Sequence, residues 1–196
     1  MFGWLKKLYN WVLHWAEASY AIPALMALAF VESSFFPIPV DILLIAMAVA
    51  IPRRSFEYAS YASLFSVMGG VAGYIIGSQF MEMMGWPIIH FYGYESQFNS
   101  LSETFRHYSF FAVLVAALTP IPYKVFTITA GAVSADFMEF FVASAMGRTF
   151  RFFAVATLIY FYGESIKGLI EKYFNLLSVV FTVLLIGGFL AIKYLF

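Results

Sequence analysis

The stretch Glu32-Ser-Ser-Phe-Phe-Pro-Ile-Pro-Val-Asp41 lies inside an apolar run from about Tyr20 to Pro52. A membrane-spanning helix has no ordinary reason to carry two carboxylates around a Pro-x-Pro break. Each proline lacks an amide donor and disfavours helix in the residue before it, so nearby carbonyls must find other partners. At membrane depth such a break persists only where protein or a polar cavity covers it, and carboxylates there are candidates for function. The pattern recurs. Thr119-Pro-Ile-Pro-Tyr-Lys124 sits in the apolar run Phe110 to Ala135, and an offset of 83 carries Pro37, Ile38 and Pro39 onto Pro120, Ile121 and Pro122. The same offset carries Asp41 onto Lys124. An acid follows the first break and a base follows the second.

Composition sets the solvent around these breaks. Of 196 residues, 63% are hydrophobic and only 11% are charged, with a mean hydropathy of +0.85. Soluble domains carry about a quarter charged residues, so the chain is an integral membrane protein. Its 11 basic and 11 acidic residues balance, and no basic tract suits nucleic acid. Cysteine is absent, which excludes disulfides and thiolate chemistry. His14, His90 and His107 fall in interfacial or loop segments without metal-ligand spacing. No nucleophile elbow or phosphate-cradling loop is present. These patterns predict neither an enzyme nor a cofactor or metal.

Working outward, residues 1–19 alternate aromatics and leucines with Lys6, Lys7, Asn10, His14 and Glu17, and read as an amphipathic helix in the membrane interface. The run from Tyr20 to Pro52 is too long for one span of about 20 residues and too short for two. Lys6 and Lys7 precede it and Arg53 and Arg54 follow it, and such residues collect in cytoplasmic loops. Both its ends are then cytoplasmic, and the run is a re-entrant hairpin turning at Pro37 and Pro39. Glu57 to Phe80 can span, with Gly69, Gly70, Gly73 and Gly77 along one face for close packing. Residues 81–107 read as an extracytoplasmic loop with interfacial helical pieces.

A second hairpin from about Tyr108 to Asp136, turning at Pro120 and Pro122, then enters from the outer side. A spanning helix from about Phe140 to Tyr162 follows, and residues 174–196 form a last span. The expected fold is all-α, one membrane domain over residues 1–196. Hairpin plus spanning helix occurs twice (20–80 and 108–163) as an inverted repeat, the plan of secondary transporters.

This topology buries Glu32, Asp41, Lys124, Arg148 and Arg151. Arg148 and Arg151 share a helix face at i, i+3 near the middle of their span, where each charge costs at least about 2.5–3.5 kcal/mol. One reading is that they neutralise Glu32 and Asp41 in a network that holds the hairpins together. Asp41 lies in the first turn of a returning half-helix, where the dipole favours an acid. Lys124 holds the matching position, where a cation is disfavoured unless an anion such as phosphate or carboxylate sits there too. Ser33, Ser34, Thr119, Thr127 and Thr129 could add hydroxyl ligands, although such residues commonly bond their own backbone.

Glu32 to Asp41, Thr119 to Lys124 leading to Ala130-Gly131, and Gly147-Arg148 before Arg151 resemble the DedA superfamily, also called the VTT or SNARE-associated Golgi domain family. The likeness is closest to its YqaA-like bacterial branch and covers about residues 20–170. It implies two opposed re-entrant hairpins and lipid translocation, in bacteria of undecaprenyl phosphate or phospholipids coupled to a proton or sodium gradient, in eukaryotes by scrambling. Glu32 and Asp41 match the acidic pair of the first hairpin, the ion-coupling sites. Lys124 matches the second basic position of the other hairpin, which meets the lipid phosphate.

Two departures stand out. Other branches carry an arginine just before the second hairpin's proline, where this chain has Leu118-Thr119. Their second basic residue is arginine, and lysine lacks its bidentate phosphate contact. Arg148 and Arg151 could supply the missing charge.

The expectation is a bacterial inner-membrane lipid transporter, multi-pass with a cytoplasmic N-terminus. Its partners would be an anionic lipid, a proton or sodium ion and, in a homo-oligomer, further copies of itself. The alternative is a non-transporting membrane organiser or assembly factor whose charges only lock the hairpins. An intramembrane lipid phosphatase lacks a nucleophile or metal set.

Overall fold

The structure is a computed structural model, and it describes residues 20–36, 39–119 and 121–163. The expected N-terminal interfacial helix, the 174–196 span, and Pro37, Ile38 and Pro120 lie outside the described residues. Among the described residues every regular element is helical. Helix α1 (Ala21–Ser34) and α2 (Val40–Ala50) flank the first break, and α2 starts directly after Pro39, whose extended backbone sets the N-cap. A 3-10 turn, Pro52–Arg54, leads into α3 (Ser55–Phe80). A π-helical turn, Met81–Gly85, joins α3 to α4 (Trp86–Tyr92). After α5 (Glu95–His107) come α6 (Ser109–Leu118) and α7 (Tyr123–Ala132), flanking the second break, then the long α8 (Phe137–Gly163).

Lengths divide these helices into two kinds. At about 1.5 Å per residue, α1, α2, α6 and α7 run roughly 15–21 Å, well short of a hydrocarbon core of about 30 Å. Each pair packs together across its break. With 26 residues in α3 and 27 in α8, the long helices reach roughly 40 Å. Both are apolar enough to cross a membrane. Large side chains such as Phe111, Phe150 and Phe161 point outward and stay exposed, as a lipid-facing surface requires. Order short–short–long thus occurs twice, and the offset of 83 carries Val40, where α2 starts, onto Tyr123, where α7 starts.

The core has two parts. One gathers Leu25 and Ala29 of α1, Leu44 and Met47 of α2, Tyr58 and Ala62 of α3, and Phe152 and Ala156 of α8. The other gathers Val113 and Ala117 of α6, Tyr123 and Ala130 of α7, and Phe140 and Ala143 of α8, with Tyr74 of α3 against it. Phe56 near the start of α3 meets Tyr160 near the end of α8, while Tyr74 meets Phe140 near the start of α8. The two long helices therefore run antiparallel, and each lends opposite ends to the two cores.

The expected glycine face of α3 is the seam that binds both short pairs. A Cβ on Gly69 would run into the Phe30 backbone of α1, and one on Gly77 into the Ile128 carbonyl of α7. Gly131 of α7 returns the contact against the Tyr74 carbonyl. Backbones approach this closely only where side chains are absent. Asp136 caps α8 by accepting the Glu139 N–H at 2.8 Å.

The segment expected as an outer loop with interfacial helical pieces is helical almost throughout. It continues α3 through the π turn and then folds back as α5, leaving little irregular chain. Glu95 opens α5, and its carboxyl is held below the usual carboxylate range by its own backbone N–H and by His90 Nδ1, 2.8 Å away.

Candidate functional site

Ser66 sits midway along α3 and Arg148 midway along α8, where one core gives way to the other. Arg148 is 2% exposed. It donates from Nη2 to Glu32 Oε2 at 2.6 Å and from Nε to Ser66 Oγ at 2.5 Å. Ser33 Oγ lies 2.7 Å from Ser66 Oγ and 3.3 Å from Arg148 Nη2, so α1, α3 and α8 share one hydrogen-bonded knot. The guanidinium also stands over the rings of Tyr123 and Phe152, 5.0 and 4.7 Å from their centroids. An aromatic sandwich favours a cation where water cannot reach it. A carboxylate, two hydroxyls and two rings thus face this one charge.

One turn on, Arg151 serves two breaks at once. It pairs with Asp41 in the first turn of α2 and donates to the Thr119 carbonyl that closes α6. That carbonyl is one of those a helix end leaves without an intrahelical partner. Arg151 and Asp41 remain partly exposed, and Asp41 Oδ1 is buried with no hydrogen-bond partner among the described residues. Lys124, in the first turn of α7, is half-buried. Its ammonium makes no ion pair or hydrogen bond among the described residues.

Comparison with known proteins identifies a family. The VTT domain family model matches residues 38–161, more than half the chain. The chain belongs to the VTT-domain, or DedA, family. It is 31% identical over 95% of its length to an uncharacterized protein of Haemophilus influenzae, covering 96% of that relative. It is 30% identical, again over 95% of its length, to an uncharacterized protein of Histophilus somni, covering 97% of it. No solved structure matches.

As a VTT-domain membrane protein, the chain keeps its expected charges together but in a particular pairing. Glu32 takes Arg148 and Asp41 takes Arg151, while Lys124 stands apart. Of the hydroxyls considered as ligands, Ser34 donates to the Phe30 carbonyl at 2.7 Å and Thr119 to the Val115 carbonyl at 2.8 Å. Thr127 donates to the Lys124 carbonyl at 3.0 Å. These three spend their protons on backbone. Ser33 alone of the group joins the charges. Sequence reasoning missed Ser66 and Tyr123. Ser66 falls on the same small-residue face as Ala62, Gly69 and Gly73, the signal that could have placed it against a buried charge.

Proposed function

We propose that this protein is a lipid transporter of the bacterial inner membrane, moving an anionic lipid such as undecaprenyl phosphate or a phospholipid by coupling to a proton or sodium gradient. In this reading the short helix pairs are re-entrant hairpins of an inverted repeat, and the N-terminus is cytoplasmic. Antiparallel long helices that lend opposite ends to two cores support the inversion. The observation that carries the transport reading is the imbalance at the breaks: among the described residues, a buried oxygen of Asp41 has no hydrogen-bond partner and the Lys124 ammonium no ion pair. Buried polar groups without partners call for a ligand, water or ion.

Lys124 makes first contact with the lipid phosphate, beside the open amides of the first turn of α7. A proton or sodium ion at Asp41 Oδ1 weakens the hold on Arg151, which then turns to the phosphate. Freed of Arg151, the Thr119 carbonyl loses its tie, and the two breaks can separate. Glu32 and Arg148 form the deeper pair, opened last, whose exchange with ion and lipid completes the cycle. A phosphate group and three cations from two helices suffice for binding and release, with no bond made or broken.

The test is lipid translocation in proteoliposomes with fluorescent phospholipid and polyprenyl phosphate, with and without a pH gradient. Flux should follow the gradient and vanish in Lys124→Ala and Glu32→Gln, each still folded. Asp41→Asn should uncouple flux from the gradient. Wild-type coupled flux from all three variants would overturn the mechanism.

A second reading, a non-transporting organiser, draws on the mutual neutralisation of Glu32 with Arg148 and Asp41 with Arg151. It expects no flux of any lipid. It also expects that neutralising Asp41 and Lys124 together restores what either change alone loses.

A further inference from the structure

A polar cavity of about 210 Å³ lies away from the charge network, where the end of α3, the π-helical turn, α5 and the turn after α7 meet. Glu82, Trp86, Asn99, Ser102, Glu103 and Arg106 are among its lining residues. Three charges in so small a space would be expected to neutralise one another. They do not. Arg106 donates from Nε to the Val133 carbonyl, which fixes its guanidinium at the wall. Neither Glu82 nor Glu103 forms an ion pair with it, although Glu103 is only three residues away on the same helix. Both acids are exposed and unpaired among the described residues.

Ser102 gives an independent sign of a ligand. The residue is 3% exposed, yet its Oγ has no hydrogen-bond partner among the described residues. A helical serine in apolar surroundings ordinarily bonds the carbonyl four residues back, as Ser34 and Ser60 do here. Ser102 leaves that option unused and lines the cavity instead. A buried hydroxyl without a partner is costly unless something in the cavity meets it.

The lining also selects among ligands. A bare cation would be repelled by Arg106, and a bare anion by two carboxylates. A group carrying both signs satisfies all three. Trp86, stacked on His90 at 5.7 Å and edge-on to Phe98 at 5.4 Å between centroids, adds aromatic surface beside the acids. We propose that this cavity binds a small zwitterion, an alkylammonium joined to a phosphate or carboxylate. The ammonium lies with Glu82 and Glu103 beside Trp86, and the anion meets Arg106, with the Ser102 hydroxyl brought to it by a change of rotamer. Phosphoethanolamine has this chemistry, either as a phospholipid headgroup or as a free solute. The site stands on its own residues and shares none with the transport reading.

Calorimetric titration of the full-length protein in detergent tests it, with phosphoethanolamine, ethanolamine, inorganic phosphate and sodium chloride as separate probes. Phosphoethanolamine should bind at least tenfold more tightly than either of its halves. Glu82→Gln/Glu103→Gln removes two exposed, unpaired charges, so it should melt like wild type and bind at least tenfold more weakly. Ser102→Ala should weaken binding several-fold without lowering the ligand-free melting temperature, because it removes a hydroxyl with no partner among the described residues. Nanodiscs of phosphatidylethanolamine or phosphatidylglycerol, read by native mass spectrometry, separate the sources. Retention of phosphatidylethanolamine that the double variant abolishes assigns a lipid headgroup, and binding of the soluble compound alone assigns a solute. No binding of either, binding unaltered in the double variant, or equal heat from sodium chloride alone would overturn the proposal.

Discussion

The two breaks share a backbone plan and differ in how their charges are met. After the first, α2 begins at Val40 with Asp41 in its opening turn; after the second, α7 begins at Tyr123 with Lys124 in the same place. Both carboxylates of the first pair are taken by arginines of α8, one on each of two successive turns. The second break offers α8 the Thr119 carbonyl and the Tyr123 ring, and its lysine forms no ion pair among the described residues. Helix ends explain the difference. An acid at a helix N-terminus is stabilised where it stands, and a base there is not. The first break thus has its acids paired with arginines while Asp41 Oδ1 keeps no hydrogen-bond partner among the described residues, and the second holds a lysine that forms no ion pair among them. Experiments that disturb one break and not the other measure how far this asymmetry goes.

The largest effect belongs to the side whose acids are paired. Arg148→Met strands Glu32 and removes the centre of the Ser33–Ser66 knot, so it should cost about 3–5 kcal/mol. Denaturant or thermal unfolding in detergent would read this loss. Glu32→Gln combined with Arg148→Met should recover a large part of it, because the stranded charge is gone. A double variant as unstable as the single one would mean that the ring contacts with Tyr123 and Phe152, rather than the ion pair, hold this region together.

The next effect should be the same on both sides. Gly69→Ala drives a methyl into the α1 backbone and Gly77→Ala into the α7 backbone. Each should cost about 1–3 kcal/mol by overpacking. Equal losses in melting experiments would show that α3 grips both short pairs alike, so that the asymmetry lies in charge alone. A loss confined to one side would place it in the packing as well.

That seam was legible in the chain, since four glycines spaced three and four apart can only make one narrow face. The breaks were legible too, because proline fixes the start of α2 and α7 to the residue after Pro39 and Pro122. Which arginine meets which acid was not. Glu32 and Arg148 are separated by 115 intervening residues, and their pairing depends on the register of α3 between them, set by packing rather than by local sequence. The Met81–Gly85 π turn escaped for the same reason, carrying no local signature, while the small-residue face that holds Ser66 marks a close approach without naming the charge that meets it. Residues 81–107 read as a loop with helical pieces whose bounds stayed open because Glu95–His107 is polar, yet such a helix needs only one apolar edge, here Phe98 and Phe105.

A smaller effect is expected where the first break is least enclosed. Asp41→Asn weakens a partly exposed pair and should cost about 1 kcal/mol or less. Its weight falls on function. With the charge gone, Arg151 is no longer held to α2, and flux should persist without a gradient. Arg151→Lys should do less, since lysine keeps the charge and loses only the second arm that reaches Thr119. If Asp41→Asn stays fully coupled, ion entry does not run through this break.

Lys124→Ala should change stability least of all, within about 0.5 kcal/mol, because its ammonium touches no partner among the described residues. The same change should remove lipid flux entirely. This pairing of a small structural effect with a complete functional one separates a residue kept for a ligand from one kept for the fold. A lysine whose loss lowers the melting point by as much as that of Arg148 would be a member of the network after all, and the two breaks would then be alike. Arginine at the same position sharpens the point. Lys124→Arg retains the charge and adds a fork that grips phosphate through two nitrogens. It should hold the lipid more tightly and release it more slowly, raising apparent affinity while lowering the maximal rate, a split that a structural substitution would not produce.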